Sequence, residues 1–349
     1  MWSNEALREA PWEGAFPAID FAAAAARIGD SIDRTPLLRL PGGAEGLDLR
    51  GKMENRQVTG SFKARGALNN VLQLPADERA EGVVASSSGN HGRALSWAAR
   101  RAGVPATIVM PKDAYPNKIE ACRAEGAEVV LAPDRWQADV VAAELAESGK
   151  TWIHPYDRDG TIEGAGTVGV EIAEDWPEVD VVVLCVGGGG LSAGSSLALR
   201  RALGARPVVL GAEPKGAAAM EAGLSAGKSV HLDAVTSAIQ GLTTPFAGER
   251  NVRVCGAALD GVLTLTDEAI YAAQRTLVND DAAAGWRAEV VEPAGAAAYA
   301  AVLDPRFEST VRAALARRTP VHDAGRPLRV AVTISGGNPA PAQLAALRA

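Results

Sequence analysis

The architecture follows from one stretch, Val181-Val182-Val183-Leu184-Cys185-Val186-Gly187-Gly188-Gly189-Gly190-Leu191. Six consecutive apolar residues predict a strand that is buried on both faces, and the four glycines after it lead into a helix over residues 191–203. Backbone amides without side chains at the start of a helix form a site suited to a phosphate group. The stretch therefore predicts a parallel α/β sheet with an anion site at the end of one strand.

Strands and helices alternate on both sides of this stretch. Earlier in the chain, strands are predicted over residues 36–41, 83–85, 106–110, 128–131 and 151–154, with helices over 19–28, 92–102, 117–125 and 138–148. Later, strands are predicted over 208–212 and 329–334, with helices over 166–175, 267–279 and 295–303. Such alternation is typical of sheets covered by helices on both faces. We therefore predict an α/β fold of two open, mostly parallel α/β domains.

The composition is that of a globular enzyme. The 349 residues are 47% hydrophobic and 22% charged, and the net charge is −7. This charge, without any Lys/Arg-rich run, argues against a nucleic-acid or anionic-membrane partner. The three cysteines are far apart and give no metal-binding spacing. The N-terminal run Met1-Trp2-Ser3-Asn4-Glu5 lacks the pattern of a signal peptide, so we expect a cytoplasmic protein that does not span a membrane.

The four glycines also permit a dinucleotide-binding interpretation. Gly188, Gly190 and Ala193 fit the pattern G-x-G-x-x-A, and Glu213 stands where an acid would bind a ribose. Consecutive glycines are better suited to wrapping one terminal phosphate than to laying a pyrophosphate along a helix. A purely structural turn is the third interpretation of the same residues.

A lysine stands at the start of another predicted helix, in the run Thr59-Gly60-Ser61-Phe62-Lys63-Ala64-Arg65-Gly66-Ala67. The helix macrodipole places partial positive charge there and lowers the cost of losing the lysine proton. Lys63 can thus act as a nucleophile near neutral pH. The alternative is an ordinary solvated lysine.

Two further loops carry polar groups at strand ends. The first, Ala85-Ser86-Ser87-Ser88-Gly89-Asn90-His91-Gly92, offers hydroxyls and free amides at a helix start, which suits a carboxylate. An N-cap with more serines than it needs is the alternative. The second, Ile334-Ser335-Gly336-Gly337-Asn338, follows the last buried strand and falls where ligands bind in open parallel sheets. Taken alone, it is equally an ordinary turn.

Together these motifs resemble the fold-type II pyridoxal-phosphate enzymes, in the group of threonine/serine dehydratases and serine racemases, with a fold like that of the tryptophan synthase β chain. The resemblance rests on residues 52–67, Ser87-Ser88-Gly89-Asn90-His91-Gly92, residues 187–191, Glu292-Pro293-x-Gly295-Ala296 and Ser335-Gly336-Gly337-Asn338. These motifs occur in the order found in that family and span nearly the whole chain. They leave little support for the dinucleotide interpretation.

The resemblance implies a role for each matching residue. Lys63 would form the Schiff base with pyridoxal phosphate, Phe62 would pack against its ring, and Asn90 would bond its phenolic oxygen. The phosphate would be held by Gly187, Gly188, Gly189, Gly190 and Leu191, and Ser335 would bond the ring nitrogen, with Glu292 and Gly336 beside it. The substrate carboxylate would lie among Ser87, Ser88, Asn90 and His91, and Tyr156 would lie near the substrate side chain. In the racemases of this group the residue that matches Ser88 is the acid/base on the face opposite the lysine, which makes Ser88 a candidate catalytic residue.

The same resemblance implies the domain organisation and the reaction. Residues 1–72 and 157–349 would form a large cofactor-binding domain, and residues 73–156 a small mobile one. The reaction would be dehydration and deamination of a β-hydroxy L-amino acid such as threonine or serine, giving a 2-oxo acid and ammonia. A racemase, a β-replacement synthase, a hydroxyaspartate or phenylserine dehydratase, and a non-catalytic cofactor-binding protein are the alternatives. A homodimer or homotetramer is expected.

The run Ile162-Glu163-Gly164-Ala165-Gly166-Thr167, Ala219 and Gln240 depart from the pattern of the family. Glu213 matches one metal ligand of the racemases, but Ala219 stands where an aspartate is usual, so we expect no metal. Gln240 replaces a more usual acidic residue and leaves the side-chain pocket open to an unusual substrate. Arg158 would be able to bind a second substrate carboxylate, although a solvated arginine is the alternative.

Overall fold

The computed structural model describes residues 2–3, 11–42, 46–316 and 326–348. Residues 1 and 4–5, part of the run in which we expected no signal peptide, lie outside the described residues. No helix in the described ranges is long and apolar enough to cross a membrane.

The strands and helices alternate through most of the chain. The strands are β1 (Trp2–Ser3), β2 (Leu37–Arg39), β3 (Leu47–Lys52), β4 (Val83–Ser86), β5 (Ala106–Pro111), β6 (Glu128–Ala132), β7 (Thr151–Trp152), β8 (Val181–Cys185), β9 (Val208–Pro214), β10 (Gly261–Leu265) and β11 (Leu328–Thr333). The helices are α1 (Phe21–Ile28), α2 (Lys63–Gln73), α3 (Ala76–Glu81), α4 (Asn90–Ala102), α5 (Pro116–Ala124), α6 (Arg135–Glu147), α7 (Asp159–Asp175), α8 (Gly190–Leu203), α9 (Ala219–Ala226), α10 (Glu249–Ala258), α11 (Asp267–Val278), α12 (Pro293–Leu303), α13 (Phe307–Ala316) and α14 (Pro341–Arg348).

Two sheets organise these elements. The larger has the strand order β1-β10-β9-β8-β11-β3-β2, in which only the two edge strands pair antiparallel. The smaller has the order β6-β5-β4-β7 and is parallel throughout. The central strand β8 is buried at every residue, as its apolar sequence requires. The predicted α/β fold with two mostly parallel sheets is confirmed.

A buried ion network fixes α2, the helix that Lys63 begins. The guanidinium of Arg65 is fully buried and lies 2.7 Å from the carboxylate of Glu54 and 2.6 Å from that of Glu171 on α7. The ammonium of Lys52 lies 2.6 Å from the same Glu171 carboxylate. Buried charges of this kind are tolerated because every one is paired. The network therefore joins α2 to α7.

Three strands of the larger sheet were missed by the sequence analysis: β1, β3 and β10. The strand β3 reads Leu-Asp-Leu-Arg-Gly-Lys, and its charged side chains conceal it. The guanidinium of Arg50 donates a hydrogen bond to the carboxylate of Asp48 and lies 4.0 Å from the Trp176 ring centroid. The charges of Arg50 and Asp48 are therefore paired within the strand itself. The strand β10 pairs with β9, and β1 pairs with β10. The smaller sheet lies inside the predicted small domain, residues 73–156, whose boundaries stay a prediction.

Candidate active site

A cavity of about 510 Å³ opens where strands of both sheets end. A volume of this size is typical of a small-molecule or cofactor site. The structure brings nearly all the predicted site residues to its wall, namely Phe62, Lys63, Ser87, Ser88, Asn90, His91, Tyr156, Gly187, Gly188, Gly189, Gly190, Leu191, Glu292 and Ser335. Gly336 lies just behind the wall, where its carbonyl accepts a bond of 3.0 Å from the Glu292 amide.

Lys63 projects its amine into this cavity. Its Nζ donates a hydrogen bond of 2.6 Å to the carbonyl of Pro155 and lies 5.0 Å from the ring centroid of Phe62. Burial lowers the pKa of Lys63 to about 8, because the charged ammonium is poorly solvated there. An amine with this pKa is partly unprotonated near neutral pH and is available as a base or nucleophile. Its position differs from that of an ordinary surface lysine.

The glycine loop, residues 187–190, joins β8 to α8. Gly189 has φ 98°, and a methyl group on it would meet the side chains of Met220 and Asn251. A methyl group on Gly188 would overlap the ring of Tyr156. The amides of Gly187, Gly188 and Gly189 make no backbone hydrogen bond within the described ranges. The loop is thus a cradle of free amides at a helix start, which fits a phosphate group.

The serine loop, residues 86–91, joins β4 to α4. The hydroxyl of Ser87 accepts bonds from the amides of Gly89 (3.3 Å) and Gly92 (3.2 Å), so it satisfies an amide in the first turn of α4, whose N-cap residue is Gly89. The hydroxyl of Ser88 has no hydrogen-bond partner among the described residues, and the residue lines the cavity. Ser88 therefore has its whole hydroxyl available to a ligand, whereas the Ser87 hydroxyl accepts two amide bonds and has only its own proton left to donate.

Asn90 and Glu292 connect the two sides of the cavity. The amide nitrogen of Asn90 donates a bond of 2.5 Å to the carboxylate of Glu292, and its oxygen accepts one of 2.9 Å from Asn338. Burial raises the pKa of the Glu292 carboxyl. These bonds fix the orientation of the Asn90 amide, which leaves its second N–H for a ligand.

His91 and Tyr156 contribute differently. Burial lowers the pKa of His91 to about 3, so its imidazole is neutral, and Nε2 lies 2.8 Å from the carbonyl of Ile153. That contact engages one edge of the ring. Tyr156 packs its ring against His154, with the centroids 4.5 Å apart, and burial raises the pKa of its hydroxyl. Tyr156 therefore forms an apolar wall beside the glycine loop.

Ser335 lies at the end of β11. Its hydroxyl donates a bond of 3.4 Å to the carbonyl of Ala294, which is a long contact, and its side chain is buried at the cavity wall. Cys185 and Arg135 are among the cavity-lining residues that the sequence analysis missed. Cys185 ends β8, and this position at a strand end was a usable signal. Arg135 begins α6, and no sequence signal indicated that it would line the cavity.

Arg158 and Glu213, which the sequence offered for a second substrate carboxylate and for a metal, do not belong to the described cavity wall. The guanidinium of Arg158 donates a bond of 2.9 Å to the carbonyl of Trp152, and Arg158 does not belong to the described cavity wall. The carboxylate of Glu213 accepts bonds from the amides of Met220 (3.1 Å) and Glu221 (2.8 Å) at the start of α9. In the ranges that the structure describes, no three His, Cys, Asp or Glu side chains come together as a metal site.

The donor set therefore fits pyridoxal phosphate. The glycine loop matches its phosphate, the Lys63 amine its aldehyde, the Asn90 amide its phenolic oxygen and the Ser335 hydroxyl its ring nitrogen. These groups line one cavity, although they come from four separate parts of the chain.

Known proteins share this sequence and fold. Residues 28–315 match the family described as "Pyridoxal-phosphate dependent enzyme". The chain is 37% identical over 273 residues to a phenylserine dehydratase of Ralstonia pickettii, covering 78% of this chain and 80% of that one. It is 36% identical over 290 residues to an L-threonine ammonia-lyase of Thermotoga maritima, covering 82% of this chain and 66% of that one.

A solved structure agrees with these relatives. The maize serine racemase structure superposes with a TM-score of 0.81 at 30% identity, covering 93% of this chain and 94% of the racemase. The predicted resemblance and the predicted cofactor are thereby confirmed. The chain belongs to the pyridoxal-phosphate dependent enzymes of fold-type II, in the group of threonine dehydratases, serine racemases and phenylserine dehydratases.

Proposed function

We propose that this protein is an ammonia-lyase that converts a β-hydroxy L-amino acid, such as threonine or serine, into a 2-oxo acid and ammonia. The observation that carries the proposal is the amine of Lys63, which lies inside the cavity with its pKa lowered to about 8. An amine in this state can take a proton from the α-carbon of a bound amino acid near neutral pH. The dehydratases among the relatives support the same reaction.

The remaining groups of the cavity fit the reaction. Pyridoxal phosphate, when bound, supplies an electron sink for the bond broken at the substrate α-carbon. Ser335 offers the ring nitrogen a neutral hydroxyl, which does not hold a proton there as a carboxylate would. This favours early loss of the β-hydroxyl over the long-lived carbanion that transamination requires. Lys63 can then take the α-proton, and the ammonium so formed can supply the proton with which the β-hydroxyl departs as water.

The serine loop is placed to bind the substrate carboxylate. The Ser88 hydroxyl and the first amides of α4 face the cavity, and the start of a helix favours an anion. Beyond them, Tyr156, Gln240 and Arg135 line the space left for the substrate side chain. This lining mixes aromatic, amide and cationic groups and supports a range of β-hydroxy amino acids.

Racemisation is the second candidate. It is supported by the free hydroxyl of Ser88 in the cavity, since a second acid/base group is needed to return a proton to the opposite face. The similarity to maize serine racemase points to the same possibility. If racemisation occurs, Ser88→Ala abolishes inversion of configuration and retains ammonia release; loss of both would show that Ser88 serves binding alone.

A substrate panel tests the proposal. The holoenzyme is incubated with serine, threonine, hydroxyaspartate and phenylserine, and 2-oxo acid, ammonia and inversion of configuration are measured. We expect release of ammonia and 2-oxo acid in equal amounts from at least one of the four. Inversion without ammonia would replace the proposal with racemisation. Cofactor binding without any turnover would favour a non-catalytic binding protein.

We also propose the organisation that the family resemblance implies. Residues 73–156, which contain the smaller sheet, would move against the remainder of the chain and close the cavity over the substrate. A cytoplasmic homodimer or homotetramer is the expected assembly. Size-exclusion chromatography with light scattering tests the subunit number, and a monomer would contradict it.

A further inference from the structure

The first turn of α10 lies behind the glycine loop. Asn251 belongs to this turn and is fully buried. Its side chain lies against Gly189, since a methyl group on that glycine would lie 2.7 Å from the Asn251 β-carbon. Neither Asn251 nor Gly248, which precedes α10, belongs to the described cavity wall. The glycine loop thus has the cavity on one side and this helix turn on the other.

One amide nitrogen joins the glycine loop to the segment that carries Tyr156. Asn251 Nδ2 donates a bond of 2.7 Å to the carbonyl of Gly188 and one of 3.0 Å to the carbonyl of Tyr156. An asparagine nitrogen has two protons to donate, so these bonds use both. Carbonyl oxygens accept and do not donate, so the side-chain nitrogen, and not its oxygen, must face them.

The oxygen of the same side chain is unsatisfied. Asn251 Oδ1 is buried and has no hydrogen-bond partner among the described residues. A buried acceptor without a partner lowers the stability of a fold, and an apolar side chain at this position would avoid that cost. The two bonds of the nitrogen are therefore what the asparagine contributes.

The carbonyl of Gly188 is held on the side away from the cavity. It accepts from Asn251 Nδ2 and also, at 3.0 Å, from the amide of Gly248. In a trans peptide the carbonyl of one residue and the N–H of the next point in opposite directions, and the described residues contain no cis peptide. The Gly189 N–H, which makes no backbone hydrogen bond within the described ranges, therefore points toward the cavity.

The start of α10 is also attached to the Tyr156 segment by other bonds. The carboxylate of Asp157 accepts bonds of 3.1 Å from the amides of Glu249 and Arg250. These bonds set the position of α10 relative to the segment, so Asn251 reaches its two carbonyls from a fixed helix start. Replacing the Asn251 side chain would remove its two bonds and leave those of Asp157 in place.

We propose that Asn251 is a positioning residue that holds the Gly188 carbonyl behind the cavity wall and thereby aims the Gly189 N–H at the phosphate of the cofactor. The same amide keeps the Tyr156 segment against the glycine loop. The inference rests on the proposed function, because it requires the glycine loop to hold that phosphate. It adds a residue that lies outside the described cavity wall.

The test is a ³¹P NMR measurement on the holoenzyme, in which the chemical shift of the cofactor phosphate reports its hydrogen bonds independently of turnover. Asn251→Asp keeps the volume of the side chain and sets a carboxylate oxygen against the Gly188 and Tyr156 carbonyls. Asn251→Ala removes the donor without adding charge. We expect both variants to move the resonance and to raise the Kd for pyridoxal phosphate about tenfold, since one charge-assisted hydrogen bond is misdirected.

Two further variants make the result specific. Gly188→Ala gives the reference shift for a displaced phosphate cradle. Asn70→Ala is the matched control, because Asn70 is also buried and its nitrogen also donates two bonds, to the Gly66 carbonyl (2.7 Å) and the Thr161 hydroxyl (2.9 Å), outside the described cavity wall. We expect Asn70→Ala to lower the free energy of unfolding, as Asn251→Ala does, and to leave the resonance and the Kd unchanged.

The outcomes separate the inference from the proposed function. Resonances of both Asn251 variants equal to that of the unmodified protein, with a shifted Gly188→Ala resonance, overturn the role of Asn251 and leave that of the glycine loop intact. A shift in Asn70→Ala as large as that in Asn251→Ala also overturns it, because the cause would then be a general loss of packing.

The glycine loop and the reaction are tested by the same samples. An unshifted Gly188→Ala resonance overturns both the inference and the placement of the phosphate at the glycine loop. Absence of ammonia release from the unmodified holoenzyme, with the shifts of the Asn251 variants present, contradicts the proposed reaction and leaves the role of Asn251 standing.

Discussion

The glycine loop and the serine loop solve the same structural task in opposite ways. Each turns from the end of a buried parallel strand into a helix, and each presents helix amides to the cavity. The glycine loop excludes side chains, since a methyl group on Gly188 or Gly189 would overlap its neighbours. The serine loop uses side chains and engages most of them: the Ser87 hydroxyl accepts from the Gly92 amide in the first turn of α4, and Asn90 donates to Glu292. The shape of the glycine loop thus depends on the absence of side chains, whereas that of the serine loop depends on the hydrogen bonds that its side chains make.

We expect the largest effect, a weaker binding of pyridoxal phosphate, from a substitution in the glycine loop. Gly188→Ala forces the new methyl group into the ring of Tyr156, and the loop or the ring must shift. We expect the Kd for pyridoxal phosphate to rise by about 100-fold or more, since a misplaced phosphate cradle loses several hydrogen bonds. Gly89→Ala in the serine loop is the comparison, because no heavy atom lies within 4 Å of its added methyl group. Equal Kd values for the two variants would contradict the distinction drawn between the loops.

The second prediction concerns the amine between the two loops. Since burial lowers the pKa of Lys63 to about 8, attachment of the cofactor to the ligand-free protein requires loss of the Lys63 proton. We expect the attachment rate to rise about tenfold per pH unit below pH 8 and to level off above it. Stopped-flow absorbance of cofactor binding measures this. A midpoint near the ordinary lysine pKa would show that the cavity does not desolvate the amine.

We expect the smallest effects from two substitutions in the serine loop, one at Ser87 and one at Ser88. Ser87→Ala removes the acceptor for two amides and should lower the free energy of unfolding by about 1 kcal/mol. Ser88→Ala removes a hydroxyl without a described partner and should leave that free energy within about 0.5 kcal/mol while raising the KM of the substrate. Urea unfolding and steady-state kinetics measure the two. A lower free energy of unfolding in Ser88→Ala, with an unchanged one in Ser87→Ala, would contradict the hydrogen-bond pattern of the loop.

Sequence patterns predicted the α/β fold because buried parallel strands leave apolar runs such as that of β8. They failed for β3, whose charges are satisfied by partners distant in sequence, such as Glu171 for Lys52. The residues of the site were likewise predicted as motifs. Their hydrogen bonds were not, because local sequence does not show that the Ser87 hydroxyl accepts from the Gly92 amide or that Asn90 donates to Glu292. Those facts depend on how separate strands meet.

The attachment point of the cofactor tests the central claim most directly. Holoenzyme treated with borohydride, which makes a link between cofactor and lysine permanent, is digested and its peptides are measured by mass spectrometry. The account predicts the added cofactor mass on Lys63, and its loss from the chain in Lys63→Ala together with all turnover. Cofactor mass on another lysine, such as Lys118 beside the cavity, or turnover retained in Lys63→Ala, would contradict it.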